Sequence, residues 1–135
     1  MNTDTKILIV DDAELYRMKI FCMLEDNFKE ENLIFADSIE TAWEKLIKNT
    51  IDVVLLDIYL PGENGTDLIN DMLSNKRLKD IPIIVITGTR EDSIVKTFYK
   101  KHVNSYLHKP IKREELLEAI AKCTNSKPIN SKNQL

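Results

Sequence analysis

The chain has 135 residues, of which 43% are hydrophobic and 30% charged, as in a single soluble globular domain. No apolar run approaches the roughly 20 residues of a membrane span, and the N-terminal sequence MNTDTKILIV lacks the features of a signal peptide, so we expect a cytoplasmic protein that binds no membrane. The net charge of −3 argues against direct nucleic-acid binding, although residues 1–95 carry an acidic excess and residues 96–135 a basic one.

The chain alternates five times between a short apolar run and a helical pattern. Three of the runs are continuously apolar, which is typical of parallel strands that are covered on both faces. The predicted strands are KILIV (6–10), LIFA (33–36), DVVLL (52–56), PIIVI (82–86) and SYL (105–107).

Five helices are predicted from apolar side chains that recur at the 3.6-residue period. Their stripes, whose aromatic residues we expect in the core, are Leu15, Met18, Cys22 and Glu25 with Phe21 and Phe28 beside them; Ile39, Ala42, Trp43, Leu46 and Ile47; Leu68, Ile69, Met72 and Leu73; Ile94, Val95, Phe98 and Tyr99; and Leu116, Leu117, Ile120 and Ala121. Ser38 is a candidate N-cap of the second helix. Cys22 and Cys123 lack metal-ligand spacing and are expected to be reduced, partly buried thiols.

This alternation predicts an α/β fold with a doubly wound, five-stranded parallel sheet and helices on both faces. After Cys123 the sequence has little apolar content and no period. We therefore expect residues 1–123 to form the domain and residues 124–135 to be a flexible tail or the beginning of a linker. No internal repeat and no second folded domain are indicated.

Polar residues follow the predicted strands, at the edge of the sheet where open α/β folds bind their ligands. A single acid in such a place, such as Asp37, is usually a helix N-cap. Capping accounts poorly for three acids, a hydroxyl and a lysine that follow four of the five strands: Asp11 and Asp12; Asp57; Thr87; and Lys109, which stands between His108 and Pro110.

These residue types together indicate phosphoryl chemistry. Carboxylates held close together repel one another and raise each other's pKa, and a hard divalent cation with oxygen ligands removes that repulsion. We therefore expect Mg²⁺, with Mn²⁺ as a substitute, and an incoming phosphoryl group that balances the charge of Lys109. Asp57 ends a buried strand at this edge and is a candidate nucleophile that attacks phosphorus to form an acyl phosphate.

Four motifs, in order and well spaced, resemble the receiver domain of two-component response regulators, and in particular the single-domain chemotaxis regulators. They are ILIVDD, LLDIYLPGENG, VITGT and YLHKP, and the resemblance covers roughly residues 5–123. It implies a flavodoxin-like (βα)5 fold with strand order 2-1-3-4-5. It also implies a signalling protein that receives phosphate from a sensor histidine kinase or a histidine phosphotransfer protein. Such a protein catalyses its own phosphorylation and slow dephosphorylation.

The resemblance implies a role for each matching residue. Asp57 resembles the phosphoacceptor, Asp12 the direct Mg²⁺ ligand, and Asp11 the acid that acts through a metal-bound water. The other roles are the third protein ligand (the backbone carbonyl of Tyr59), the switch hydroxyl (Thr87), the cation that binds the phosphoryl oxygens (Lys109), the proline after a cis peptide (Pro110), the switch aromatic (Tyr106) and the glycine that closes the loop (Gly65).

Two departures from the family pattern concern the lifetime of the phosphorylated state. Tyr59 is large for its position, and Gly88 loosens the backbone after Thr87. In receivers, the side chains at the positions of Tyr59 and Thr89 flank the approach of the hydrolytic water. The Tyr59 ring is therefore predicted to shield the phosphoryl group. The alternatives are a ring that points to solvent and a hydroxyl that orients the water and speeds hydrolysis.

Other classes of protein fit the residues less well. A flavin-binding flavodoxin would have to hold a phosphate against Asp11, Asp12 and Glu14, and a haloacid-dehalogenase-type phosphatase needs an acid where Tyr59 stands. A receiver that works only as a phosphorylation-independent binding module would normally have lost one of the charged groups. A stand-alone regulator is favoured, and a receiver cut from a longer regulator or hybrid kinase remains the alternative.

For output, phosphorylation is predicted to draw Thr87 inward and to bias Tyr106 toward burial. This would remodel the surface of the fourth helix, fifth strand and fifth helix. The excess of lysine in residues 96–135 falls on that surface and on the tail. We therefore expect an acidic downstream protein partner there, or a self-association that phosphate strengthens.

Overall fold

A five-stranded parallel sheet lies at the centre of the protein. The computed structural model describes residues 4–60, 62–88 and 101–125. The strands of the sheet are β1 (Ile7–Val10), β2 (Leu33–Ala36), β3 (Val53–Leu56), β6 (Ile83–Thr87) and β7 (Ser105–His108), in the order β2-β1-β3-β6-β7. The strands β4 (Tyr59–Leu60) and β5 (Glu63–Asn64) form a separate antiparallel hairpin, so β6 and β7 are the fourth and fifth strands of the main sheet. The observed order is therefore the predicted order 2-1-3-4-5. The sequence pattern did not indicate that hairpin.

Helices pack on both faces of the sheet, and the predicted doubly wound α/β fold is confirmed. The helices are α1 (Glu14–Leu24), α2 (Ile39–Lys48), α3 (Gly65–Leu73) and a C-terminal helix (Arg113–Asn125) that extends two residues past the predicted domain boundary. The predicted fourth helix, with Ile94, Val95, Phe98 and Tyr99, lies outside the described residues. Within the described ranges, no helix has the length and apolar character needed to span a bilayer.

Strands β1 and β3 are apolar and buried throughout because both of their faces are covered. Side chains along β1 alternate between two hydrophobic clusters, so that Leu8 packs with residues of α2 and α3 whereas Ile9 packs with residues of α1 and the C-terminal helix. Trp43 packs against the first of these clusters, as predicted. The site-bearing edge of the sheet is therefore supported from both sides.

The predicted buried stripe of α1 was wrong. Ile20 and Leu24 face the core instead, and Phe28 is buried as expected. The predicted stripe faces solvent: its exposed residues are Leu15 (76% exposed), Met18 (56% exposed), Cys22 and Glu25. Cys22 is thus not partly buried, whereas Cys123 is buried, and both thiols are free.

Local hydrogen bonds start α2 and α3 at the residues observed. Ser38 caps α2 as predicted, because its hydroxyl accepts a hydrogen bond from the Thr41 N–H at 3.1 Å. The interpretation of Asp37 as the N-cap was wrong, because Ser38 is the capping residue and the Asp37 carboxylate accepts a hydrogen bond from the Thr41 hydroxyl, at 3.3 Å. Asn64 caps α3 by accepting from the Thr66 N–H at 3.0 Å.

The hairpin after β3 holds the chain close to the end of that strand. Gly62 has φ +68°, a left-handed conformation that glycine adopts without steric cost. The Gly65 N–H donates to the Ile58 carbonyl at 3.2 Å, and a Cβ at Gly65 would lie 2.8 Å from the Ile58 Cα. Only glycine fits this approach, which gives the physical reason for a glycine where the loop closes. The Glu63 carboxylate also accepts from the Ile39 N–H at 3.1 Å, and so ties the hairpin to the start of α2.

Candidate functional site

Hydrogen bonds that continue the sheet past its carboxyl edge position the site residues. The Asp11 N–H donates to the Ala36 carbonyl at 3.0 Å, and the Asp57 N–H donates to the Val10 carbonyl at 2.9 Å. On the other side of the sheet, the Lys109 N–H donates to the Thr87 carbonyl at 2.8 Å. The main chain of each of the three residues is therefore fixed by a hydrogen bond to the neighbouring strand. That arrangement brings residues from distant parts of the chain to one edge.

A single ammonium group bridges two carboxylates at this edge. Lys109 Nζ lies 2.8 Å from Asp11 Oδ2 and 3.1 Å from Asp57 Oδ2. The second oxygen of each acid accepts a backbone hydrogen bond at 2.9 Å, from the Ala13 N–H in the case of Asp11 and from the Tyr59 N–H in the case of Asp57. Both carboxylates are held at two points, so their orientation is fixed before any ligand arrives.

The electrostatics of the site reflect this sharing of one cation by two acids. Burial raises the pKa of the Asp57 carboxyl above its ordinary value. The hydrogen bond from Tyr59 and the positive charge of Lys109 lower this pKa, but they offset the effect of burial only in part. The negative charge of Asp11 raises it further. Burial lowers the pKa of Lys109, but the hydrogen bond to Asp11 and the charges of both acids outweigh it, so that this pKa lies above its ordinary value. The site contains more buried negative charge than Lys109 neutralises.

The three acids at the edge fit a divalent cation. One carboxylate oxygen from each of Asp11, Asp12 and Asp57 can be chosen so that all lie within 4.8 Å of one another. Asp11 and Asp57 are buried, and Asp12 is exposed at the mouth of the site. Hard oxygen ligands and an excess of negative charge suit Mg²⁺. The predicted grouping of these acids is observed, and Asp37 does not belong to the cluster.

The remaining predicted residues lie around this cluster or outside the described residues. Thr87 is fully buried at the end of β6, and the Lys109–Pro110 peptide bond is cis, as the resemblance implied. Tyr59 is 47% exposed at the rim. Tyr106 is partly buried with its hydroxyl shielded from solvent. Its ring packs edge-on against the His108 ring, with the two ring centroids 5.2 Å apart. Thr89 and Pro61 fall outside the described residues.

Two residues at the site were missed in the sequence. The Arg17 guanidinium donates to the Asp11 carbonyl at 2.6 Å, and the Tyr16 ring lies 4.0 Å from Lys109 Nζ. Both belong to the first turns of α1, directly after the acid pair. An arginine six residues after Asp11 can return to that carbonyl from the helix, and this spacing is the only signal that could have found it. Nothing in the local sequence links Tyr16 to a lysine 93 positions away.

Comparison with known proteins identifies the family. The family described as response regulator receiver domain matches residues 7–121, and this chain belongs to it. Chemotaxis protein CheY1 of Helicobacter pylori is 37% identical over 116 residues, which cover 85% of this chain and 93% of that protein. The sensory transduction protein LytR of Staphylococcus epidermidis is 34% identical over 129 residues, 96% of this chain but 49% of LytR. The crystal structure of a response regulator receiver domain protein from Clostridium thermocellum matches with a TM-score of 0.78 at 25% identity, covering 97% of this chain and 99% of that one.

The fold and the family together define a receiver domain of two-component signalling. Aspartate phosphorylation and Mg²⁺ binding are features of this family, and the acid cluster that they require is present. Receivers are phosphorylated by histidine kinases or phosphotransfer proteins. The chain spans about half the length of the LytR relative and nearly all of the CheY1 relative.

Proposed function

We propose that Asp57 is the phosphoacceptor and that it receives a phosphoryl group from the phosphohistidine of a partner kinase or phosphotransfer protein. The observation that carries this proposal is the bridge of Lys109 to Asp57 and Asp11 at 3.1 and 2.8 Å. Asp57 is a buried acid that shares one ammonium group with Asp11, so a further positive partner would stabilise its charge. Burial also raises the pKa of the Asp57 carboxyl, which makes its carboxylate oxygens more basic and so better nucleophiles toward phosphorus.

In the proposed reaction a carboxylate oxygen of Asp57 attacks phosphorus and forms the acyl phosphate bond. The bond between phosphorus and the imidazole nitrogen breaks, and the nitrogen leaves with the electron pair. Asp11, Asp12, Asp57 and the Tyr59 carbonyl would hold Mg²⁺, which would supply the positive charge that a phosphoryl group needs to approach this acidic cluster. Lys109 exchanges its contact with Asp57 for the phosphoryl oxygens, and the Thr87 hydroxyl donates to one of them.

Intact-mass spectrometry with acetyl phosphate as the donor tests the phosphoacceptor. We expect the wild type to gain one phosphoryl group with Mg²⁺ and none with EDTA, and Asp57→Asn to gain none in either buffer. Asp37→Asn is a matched control, because Asp37 follows β2 at the same edge but lies outside the acid cluster. Wild-type phosphorylation of Asp57→Asn would refute the assignment.

For output, we propose that residues 1–123 act as the receiver and that phosphorylation moves Thr87 toward the phosphoryl group and stabilises the buried position of Tyr106. The partner is an acidic protein, or a second copy of the chain, that binds the lysine-rich residues 96–135. The chain covers 93% of the CheY1 relative and 49% of LytR, so its length is compatible both with a stand-alone regulator and with a receiver cut from a longer one.

Backbone NMR with beryllofluoride, which stands in for the phosphoryl group, tests the output proposal. We expect chemical-shift changes to extend from Asp57 to residues 101–112, and Tyr106→Ala to reduce them there while leaving those at Asp11 and Asp12 unchanged. Changes confined to the acid cluster would refute the switch and leave the phosphoacceptor assignment intact.

A further inference from the structure

The ammonium of Lys109 has to be held at one point to serve two carboxylates. Lys109 follows the last residue of β7, and its flexible side chain loses conformational freedom when it is fixed. Only 18% of that side chain is exposed. Some group other than the two acids therefore covers the lysine and limits its conformations.

That group is the ring of Tyr16. Lys109 Nζ lies 4.0 Å from the ring centroid, within the range of a cation–π contact, and such a contact is stronger where water is excluded. Tyr16 is half-buried and packs against the hydrophobic cluster that contains Ile20 and Leu24. Its ring is therefore fixed by the core. The exposed Lys19 approaches the same ring only to 5.9 Å.

Tyr16 also holds the backbone from which Lys109 projects. Its hydroxyl accepts a hydrogen bond from the Ile111 N–H at 3.3 Å. Ile111 is buried and lies two residues after Lys109, beyond the cis peptide bond at Pro110. One side chain thus contacts the lysine segment twice, at the ammonium and at the main chain.

We propose that Tyr16 is a positioning residue for phosphoryl transfer. Its ring holds the Lys109 ammonium between Asp57 and Asp11, and its hydroxyl holds the loop that carries the lysine. This inference rests on the proposed function of Asp57 and Lys109. A cation that is already in place when the phosphoryl group arrives needs no reorganisation during the reaction, which is the condition for effective electrostatic stabilisation.

The position of the ammonium can be measured in the unphosphorylated protein. The Tyr16 ring current should move the NMR signals of the Lys109 Cε protons upfield. We expect this shift in the wild type and in Tyr16→Phe, which keeps the ring, and its loss in Tyr16→Leu, which keeps an apolar side chain in the core. An equal shift in the wild type and Tyr16→Leu would overturn the inference. The hydroxyl contact has its own readout: the Ile111 amide should exchange with solvent faster in Tyr16→Phe, and unchanged exchange would overturn that part.

Phosphorylation rates with acetyl phosphate and Mg²⁺ then test the role. Tyr16→Leu should be roughly three- to tenfold slower than the wild type, and Tyr16→Phe should lie between them. Mg²⁺ affinity should not fall in Tyr16→Leu, because the carboxylate ligands survive, whereas a general distortion of the site would weaken it. Lys19→Met, which removes the more distant cation near the ring, should react at the wild-type rate.

A double-mutant cycle separates positioning from other effects of Tyr16. In a Lys109→Met background, Tyr16→Leu should cause no further slowing of the residual reaction. Equal slowing in both backgrounds, or a wild-type rate in folded Tyr16→Leu, would overturn this inference and leave the proposed function standing. Wild-type phosphorylation of Asp57→Asn would overturn both.

Discussion

Ion pairs of nearly equal length lie at the two edges of the main sheet. At the amino edge Lys29 Nζ is 2.7 Å from Asp4, and the two side chains are 53% and 68% exposed. At the carboxyl edge Lys109 Nζ is 2.8 Å from Asp11, and the side chains are 18% and 3% exposed. In both pairs the pKa of the lysine is raised, for Lys29 chiefly by its hydrogen bond to Asp4 and for Lys109 against the opposing effect of burial.

Distance alone therefore does not determine how much an ion pair contributes to stability. An exposed pair is screened by water and salt, and its gain is offset by the side-chain entropy that it costs. A buried pair has lost its hydration, so removal of one partner leaves the other charged and unsolvated. At the carboxyl edge a second acid adds to this imbalance, and the result is a site that favours ligands rather than one that maximises stability.

The largest effect is expected when the buried cation is removed. In EDTA at pH 7, Lys109→Met should be about 3 kcal/mol less stable than the wild type, because the buried Asp11 and Asp57 then lie beside each other without the cation that bridges them. Mg²⁺ should restore much of this loss. Urea unfolding measures both effects, with Lys29→Met as the matched control from the exposed pair. Equal stability of the two lysine variants would contradict the comparison.

Removal of the surplus buried charge should act in the opposite direction. Asp57→Asn is expected to be more stable than the wild type in EDTA at pH 7, on the order of 1 kcal/mol, because Lys109 and Asp11 then form a one-to-one pair. Since burial raises the pKa of Asp57, its contribution is favourable in acid and is lost as the pH rises through that value.

The advantage of Asp57→Asn should therefore shrink as the pH falls and the wild-type carboxyl becomes protonated. Urea unfolding of both proteins across the acid range, always in EDTA, measures this trend. A mutant less stable than the wild type at pH 7 would mean that the buried carboxylate stabilises the fold.

A substitution of Tyr59, which is exposed at the carboxyl edge of the sheet, tests whether its ring slows hydrolysis of the acyl phosphate. If the Tyr59 ring shields the phosphoryl group from water, Tyr59→Ala should lose phosphate several-fold faster, a barrier change of about 1 kcal/mol. Decay of the purified phosphoprotein in excess Mg²⁺ measures this, with Tyr59→Phe to separate the ring from the hydroxyl. Equal decay would mean that the ring points to solvent, and slower decay would assign the hydroxyl to water orientation.

The smallest effect is expected at the amino edge. Asp4→Asn should leave the unfolding midpoint unchanged within experimental error at physiological salt, because both partners of the pair are exposed. A measurable destabilisation that disappears in high salt would show that this surface pair contributes more than its exposure suggests.

The sheet and the chemistry of its edge could be predicted because they depend on local signals. Continuous apolar runs such as that of β3 identify buried parallel strands, and in a parallel sheet the residue after each strand must reach the same edge. The positions of Asp11, Asp57 and Lys109 directly after their strands therefore predict that these residues meet at one edge. The hairpin at Tyr59 was missed because two-residue strands leave no period to detect.

The orientation of α1 could not be predicted, for a reason that also hid Tyr16. Apolar residues lie on several sides of this helix, so that the stripe of Leu15 and Met18 and the stripe of Ile20 and Leu24 both satisfy the helical period. Tertiary packing decides between them. The contact of Tyr16 with Lys109 depends on the same choice of face, since it joins two segments far apart in sequence.

The two cysteines give this domain a single chemically addressable position. Cys22 is exposed on the outer face of α1, whereas the Cys123 thiol is buried and donates to the Ile120 carbonyl at 3.4 Å. Thiol reagents require access to sulfur as well as its ionisation. A maleimide dye should therefore label Cys22 in the folded wild-type chain and leave Cys123 unmodified. The unmutated protein thus carries its own attachment point for a fluorescent reporter on the helix that follows the acid pair.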